Sequence, residues 1–178
     1  IKHGNGRDWW IINRRWNNIN NTFYKYLITP SGVSDSMPQN IGYANNAAVA
    51  RMQFSNSGNK LAHYNGGGLL ELYDFDRCTG LLSNLNTVYP QLMQAPLPWY
   101  WSTCFSPDDN LLYISSIPIQ STDTSRLYQF DLTATNIAAS ADTLRQTHFN
   151  ESMGFLKLAP DGKIYLAESR KWKTPLDS

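Results

Sequence analysis

Glutamate occurs only at Glu71, Glu151 and Glu168, and histidine only at His3, His63 and His148. A glycosidase needs two carboxylates facing one scissile bond, and whether any two of these acids meet is a matter of geometry that spacing leaves open. The histidines make no paired spacing with cysteine or acidic residues, so no zinc site is read from them. Asp74-Phe75-Asp76-Arg77-Cys78-Thr79-Gly80 begins like a calcium loop. Its third ligand position is Cys78 and its twelfth is Leu85 rather than Glu, which excludes an EF-hand. No G-x-S-x-G elbow occurs. The reading is therefore of a protein with no catalytic residue, no metal and no cofactor assigned. The acidic turns such as Asp108-Asp109 and Asp161-Gly162 are read as hairpin chemistry, because Asp, Asn and Gly tolerate left-handed backbone and Pro presets its φ.

Aromatic residues are the better candidates for binding. Pro96-Leu97-Pro98-Trp99-Tyr100-Trp101 reads as a connection, in which Trp99, Tyr100 and Trp101 offer flat apolar surfaces to a sugar ring or a protein segment, with at least one of them expected in the core. Arg14-Arg15-Trp16-Asn17-Asn18 reads as a second, exposed patch in a long loop, so Arg14, Arg15 and Trp16 join the candidate binding residues. Trp9-Trp10 lies in a strand, where one ring packs inward and its neighbour points to the opposite face. Arg7 and Asp8 are expected to form a local structural pair.

The elements that must position these groups are strands. The chain has 178 residues, 42% hydrophobic and 13% aromatic, enough for a sizeable core. With 15 Lys and Arg against 14 Asp and Glu, the net charge of +1 gives nucleic-acid binding no support. No apolar run approaches the roughly 20 residues that span a bilayer, so no membrane insertion is expected. The opening Ile1-Lys2-His3 lacks an initiator Met and reads as a fragment or mature piece. Cys78 and Cys104 allow one disulfide at most; each is read as a small, partly buried residue, which leaves the redox compartment open.

Turns recur. Asn5-Gly6, Ser57-Gly58, Asp108-Asp109 and Asp161-Gly162 each precede an apolar strand, at separations of 52, 51 and 53 residues. A second strand follows at Thr22 to Thr29, Leu70 to Asp76 and Arg126 to Leu132, each alternating with period two. Weaker fourth strands are read near Pro38 to Tyr43, Leu81 to Val88 and Asn136 to Leu144. Four antiparallel strands about every 50 residues describe β-propeller blades. The expected fold is all-β, with blades at about 1–48, 49–98 and 99–152 and the inner hairpin of a fourth at about 153–178. Such a ring is incomplete, so further blades are expected from a parent chain or from a second copy.

The stretches His3 to Trp10, Asp74 to Asn84, Phe105-Ser106-Pro107-Asp108 with Leu112 to Ser115, Leu127 to Leu132 and Leu158 to Tyr165 together resemble a family. It is the WD40-like propeller region of secreted proteins of Bacteroidetes-type bacteria, the gliding-motility-associated or type IX secretion substrates. The resemblance implies a secreted or cell-surface module of a larger protein, and it carries no active-site residues. The expected function is a non-catalytic interaction module whose loops bind protein or glycan at the cell surface. The alternatives are a propeller-fold carbohydrate-active enzyme, hydrolase or lyase, and a structural spacer or assembly unit.

Overall fold

The computed structural model describes residues 1–15, 20–44, 50–88, 99–117, 124–147 and 151–170. All extended structure in them is antiparallel. The first sheet holds β1 (Trp9–Arg14), β2 (Thr22–Thr29), β3 (Gly32–Val33) and β4 (Met37–Asn40), with β3 and β4 sharing the far edge of β2. The second is a four-stranded meander of β5 (Ala50–Phe54), β6 (Lys60–Asn65), β7 (Leu70–Phe75) and β8 (Leu82–Val88). The third repeats it with β9 (Trp99–Phe105), β10 (Leu111–Ile117), β11 (Arg126–Asp131) and β12 (Asp142–Gln146). A two-stranded sheet of β13 (Glu151–Leu158) and β14 (Ile164–Arg170) follows. The only helix among the described residues is one 3-10 turn at Ala138–Ser140, just before β12.

The repeat has a backbone signature. Gly6, Gly58, Asp109 and Gly162 all sit at left-handed φ, between 59° and 77°. Each donates its N–H to the carbonyl three residues back, His3, Ser55, Ser106 and Ala159, at 3.0 Å in every case. The acidic side chains serve these turns: Asp108 accepts from Ser106 Oγ at 2.5 Å and from the Asn110 N–H at 3.2 Å. In the first sheet the partner of the turn is Lys2, bridged to Trp9.

By contact, residues 1–65 with 69–88 form one compact unit, and 66–68 with 89–178 another. In the first unit the inward positions of β1 and β2 meet the second sheet. Trp10 and Phe23 cluster with Leu61, Tyr73, Phe75 and Leu82. Trp10 lies edge-on to Phe75 and donates its indole N–H to the Arg77 carbonyl at 2.9 Å. The opposite ring, Trp9, is half exposed, as alternation demands. Arg7 and Asp8 form the expected local pair, at 2.9 Å. In the second unit the core comprises Tyr100, Phe105, Leu112, Ile114, Phe130, Met153 and Leu156. Both cysteines are free thiols; Cys104 is buried, whereas Cys78 is exposed rather than partly buried, because Asp76 holds it in a surface turn through the Cys78 N–H.

Candidate functional site

Two β-bulges in the second unit shape a cavity. Between β9 and β10 the register passes from Ser102↔Ser115 to Tyr100↔Ser116, leaving Trp101 as the extra residue. Between β13 and β14 it breaks from Met153↔Glu168 to Leu156↔Leu166. Bulges re-aim side chains and are frequent beside active sites. The second bulge is stitched to its neighbour by two buried serines: Ser115 Oγ donates to the Gly154 carbonyl at 2.7 Å, and Ser102 Oγ accepts from the Leu156 N–H at 3.0 Å. At this register break Phe155 turns outward, 54% exposed, with its ring 5.9 Å from that of Trp101 at 54°.

The cavity so formed has a volume of about 370 Å³, within the range of small-molecule sites. Trp101, Phe155, Ile117 and Met153 make its apolar wall, and Ser152, Ser169 and Glu168 its polar side. Glu168 is held by Arg145 from β12, whose Nη2 lies 2.9 Å from Oε1 and 3.1 Å from Oε2. The arrangement combines flat apolar surface with one oriented carboxylate. Among the described residues, no group of three or more His, Cys, Asp or Glu side chains is arranged to hold a metal ion.

The residues expected to bind are distributed differently from the sequence reading. Trp99, Tyr100 and Trp101 lie in strand β9 and not in a connection, a correction that follows from the pairing of Trp99 with Ile117 and of Tyr100 with Ser116, with Trp101 as the bulge residue of the same strand. Trp101 lines the cavity. Trp99 is not one of the lining residues and is 41% exposed. Tyr100 is core: it is 1% exposed, edge-on to Tyr128, and burial pushes its hydroxyl pKa upward. The exposed patch at Arg14 and Arg15 also dissolves. Arg15 is exposed and uses its backbone N–H on the Thr22 carbonyl, Trp16 lies outside the described residues, and Arg14 is buried.

Arg14 is buried because it occupies the inward phase of β1 shared by Trp10, and β7 presents Glu71 opposite. Its Nη1 donates to Glu71 Oε2 and its Nη2 to the Tyr43 carbonyl. His63 Nδ1 lies 2.9 Å from the same carboxylate oxygen, and the Tyr43 N–H donates to Oε1 at 2.7 Å. Burial lowers the His63 pKa, and the Arg14 charge adds to that against the upward pull of Glu71, so the ring is neutral. For Glu71 burial pushes upward, but hydrogen bonds from His63, Tyr43 and Arg14 outweigh it and hold the carboxyl below its ordinary range. His63 Nε2, Tyr73 Oη and Arg14 Nε have no partner among the described residues. This closed node clamps Tyr43 at both its backbone N–H and C=O. With Arg14, Glu71 and His63 all under 9% exposed, it is a structural ion cluster and not an open site.

Phe155 escaped the sequence reading altogether, since its orientation comes from the bulge. Glu168 and Glu71 were visible as two of only three glutamates, but their arginine partners lie on distant strands.

No protein-family model matches the chain, and no curated protein matches it. Solved structures do. One is a protein of Bacteroides fragilis NCTC 9343 provisionally named a 6-phosphogluconolactonase, 16% identical, with 92% of this chain and 44% of that one covered, TM-score 0.59. A luciferin-regenerating enzyme is 14% identical over 88% of this chain and 48% of its own, TM-score 0.52. The β-propeller domain of Myceliophteria thermophila Cps50 (Swd1) is 10% identical over 88% and 44%, TM-score 0.54. The chain thus spans less than half the length of each of these. At such identities the likeness carries the fold alone. Two of the three are named as enzymes, a finding that goes against the expectation of a non-catalytic interaction module. No match supports the gliding-motality or type IX secretion assignment. What stands is that this chain has a β-propeller-like, all-β fold, with three four-stranded antiparallel sheets and a two-stranded hairpin among the described residues.

Proposed function

We propose that the protein is a carbohydrate-active hydrolase of the propeller type, acting on a sugar-derived ester such as a lactone. One observation carries this reading: Glu168, oriented by Arg145, opens into the same cavity whose wall is the Trp101–Phe155 pair. A pyranose has an apolar face of C–H groups and a rim of hydroxyls. Trp101 and Phe155 suit the face, and Ser152, Ser169 and Glu168 suit the rim.

The cavity offers one described carboxylate, half of what acid/base cleavage of a glycosidic bond takes. An ester carbonyl needs less. Glu168 takes a proton from a water, whose oxygen forms a bond to the carbonyl carbon. The resulting oxyanion is stabilised by the adjacent Arg145 guanidinium and the serine hydroxyls. On collapse the ring C–O bond breaks, and the alkoxide takes the proton back from Glu168, leaving the sugar acid. The lactonase name of one structural neighbour supports this choice of bond. The likeness of the hairpin motifs to secreted bacterial propellers supports a surface or extracellular setting. The test is hydrolysis of D-glucono-δ-lactone by the wild-type protein and by Glu168→Gln, each corrected for the spontaneous reaction.

A further inference from the structure

We infer that the cavity is one station of an aromatic track, and that the substrate is a chain of at least two sugar rings with the reacting ester at its end. This rests on the hydrolase reading and specifies its substrate. Trp99 pairs directly with Ile117 across β9 and β10, and residues paired across a ladder present their side chains on one face. Ile117 lines the cavity, so Trp99, itself outside the lining, holds a register position on the cavity face of the sheet. Two residues along a strand span about 7 Å, of the order of one pyranose ring to the next, so Trp99 is placed to receive the neighbour of a ring held at Trp101.

The Trp99 ring is also supported. A Cβ built on Gly66 would lie 3.7–3.8 Å from three atoms of the indole, so the ring rests against backbone that carries no side chain. That contact fixes the ring and leaves it 41% exposed. Trp99, 41% exposed, and Phe155, 54% exposed, together with the more buried Trp101 offer more flat apolar surface than one ring covers, which suits a chain of rings better than a free monosaccharide.

The experiment compares D-glucono-δ-lactone, with one ring, against the δ-lactone of cellobionic acid, with two. In the wild-type protein kcat/KM is expected to be about tenfold higher for the two-ring lactone, the effect of one added stacking contact. In Trp99→Ala the ratio falls to about one, and Trp99→Phe, which keeps a flat ring, restores most of it. A wild-type ratio of one or below, or a ratio untouched in Trp99→Ala, overturns the track and leaves the hydrolase reading standing. If neither lactone is hydrolysed faster by wild type than by Glu168→Gln, the hydrolase reading itself fails, and the track with it.

Discussion

Replacing Glu71 by Leu perturbs the buried node most cleanly. The Arg14 and Glu71 side chains are 3% and 0% exposed, so water cannot take over either role. Glu71→Leu strands the guanidinium charge in the interior and removes the acceptor from both the Tyr43 N–H and His63 Nδ1. Breaking a buried ion pair on one side costs about 3–5 kcal/mol. For a chain of this length that corresponds to a Tm lower by roughly 6–20 °C. The double variant Arg14→Met/Glu71→Leu removes the stranded charge and fills its volume, so it should be more stable than Glu71→Leu alone, with a coupling of about 0.5–3 kcal/mol. Thermal and urea unfolding of the wild type, both single variants and the double variant closes the cycle. The reasoning is refuted if Glu71→Leu lies within about 1 kcal/mol of wild type, or if the two substitutions are simply additive.

The same node makes the protein acid-sensitive. The folded His63 pKa is held below its ordinary 6.5, so as pH falls through 6.5 the unfolded chain gains a proton that the folded chain does not, and stability declines. Glu71 is held below its ordinary 4.5, so its contribution is complete above that value and is lost as pH falls further. A Tm series from pH 8 to pH 2.5 should be flat at first and then fall in two stages, and His63→Gln should remove the first. Gly80→Ala tests the Trp10 core: Gly80 has φ +72°, and a Cβ there would sit 2.7 Å from Trp10 Cη2. Gly6→Ala shares the φ, at +74°, with nothing within 4 Å, and should cost only about 1 kcal/mol against about 2–4 kcal/mol for Gly80→Ala.

The blades were legible because their signals are local. A turn residue that accepts left-handed backbone, followed by period-two alternation, marks each hairpin, and the structure repeats the same backbone bond at Gly6, Gly58, Asp109 and Gly162. The candidate site was legible only in fragments. Trp101 was singled out as an aromatic platform, but its partner Phe155 lies 54 residues on and reaches it through a register break that no local pattern encodes. Tyr100 was grouped with its neighbours although strand alternation sends it to the opposite face. Arg14 reads in sequence as half of an exposed Arg14-Arg15 pair, whereas it is an inward strand position; its partner Glu71 is on β7, 57 residues away. Polar residues at inward positions, such as Arg14, Ser102 and Ser115, were the signal available. Each has a partner that tertiary packing supplies.

The central claim is that Glu168 in the Trp101–Phe155 cavity acts as the base for ester hydrolysis. Its most direct measurement is the enzymatic rate of D-glucono-δ-lactone consumption by wild type and Glu168→Gln at matched folded concentration. The account predicts a wild-type rate above the spontaneous reaction and a loss of about 100-fold or more in kcat for Glu168→Gln, the scale of a general base, with the Tm preserved. Equal rates for the two proteins would contradict it.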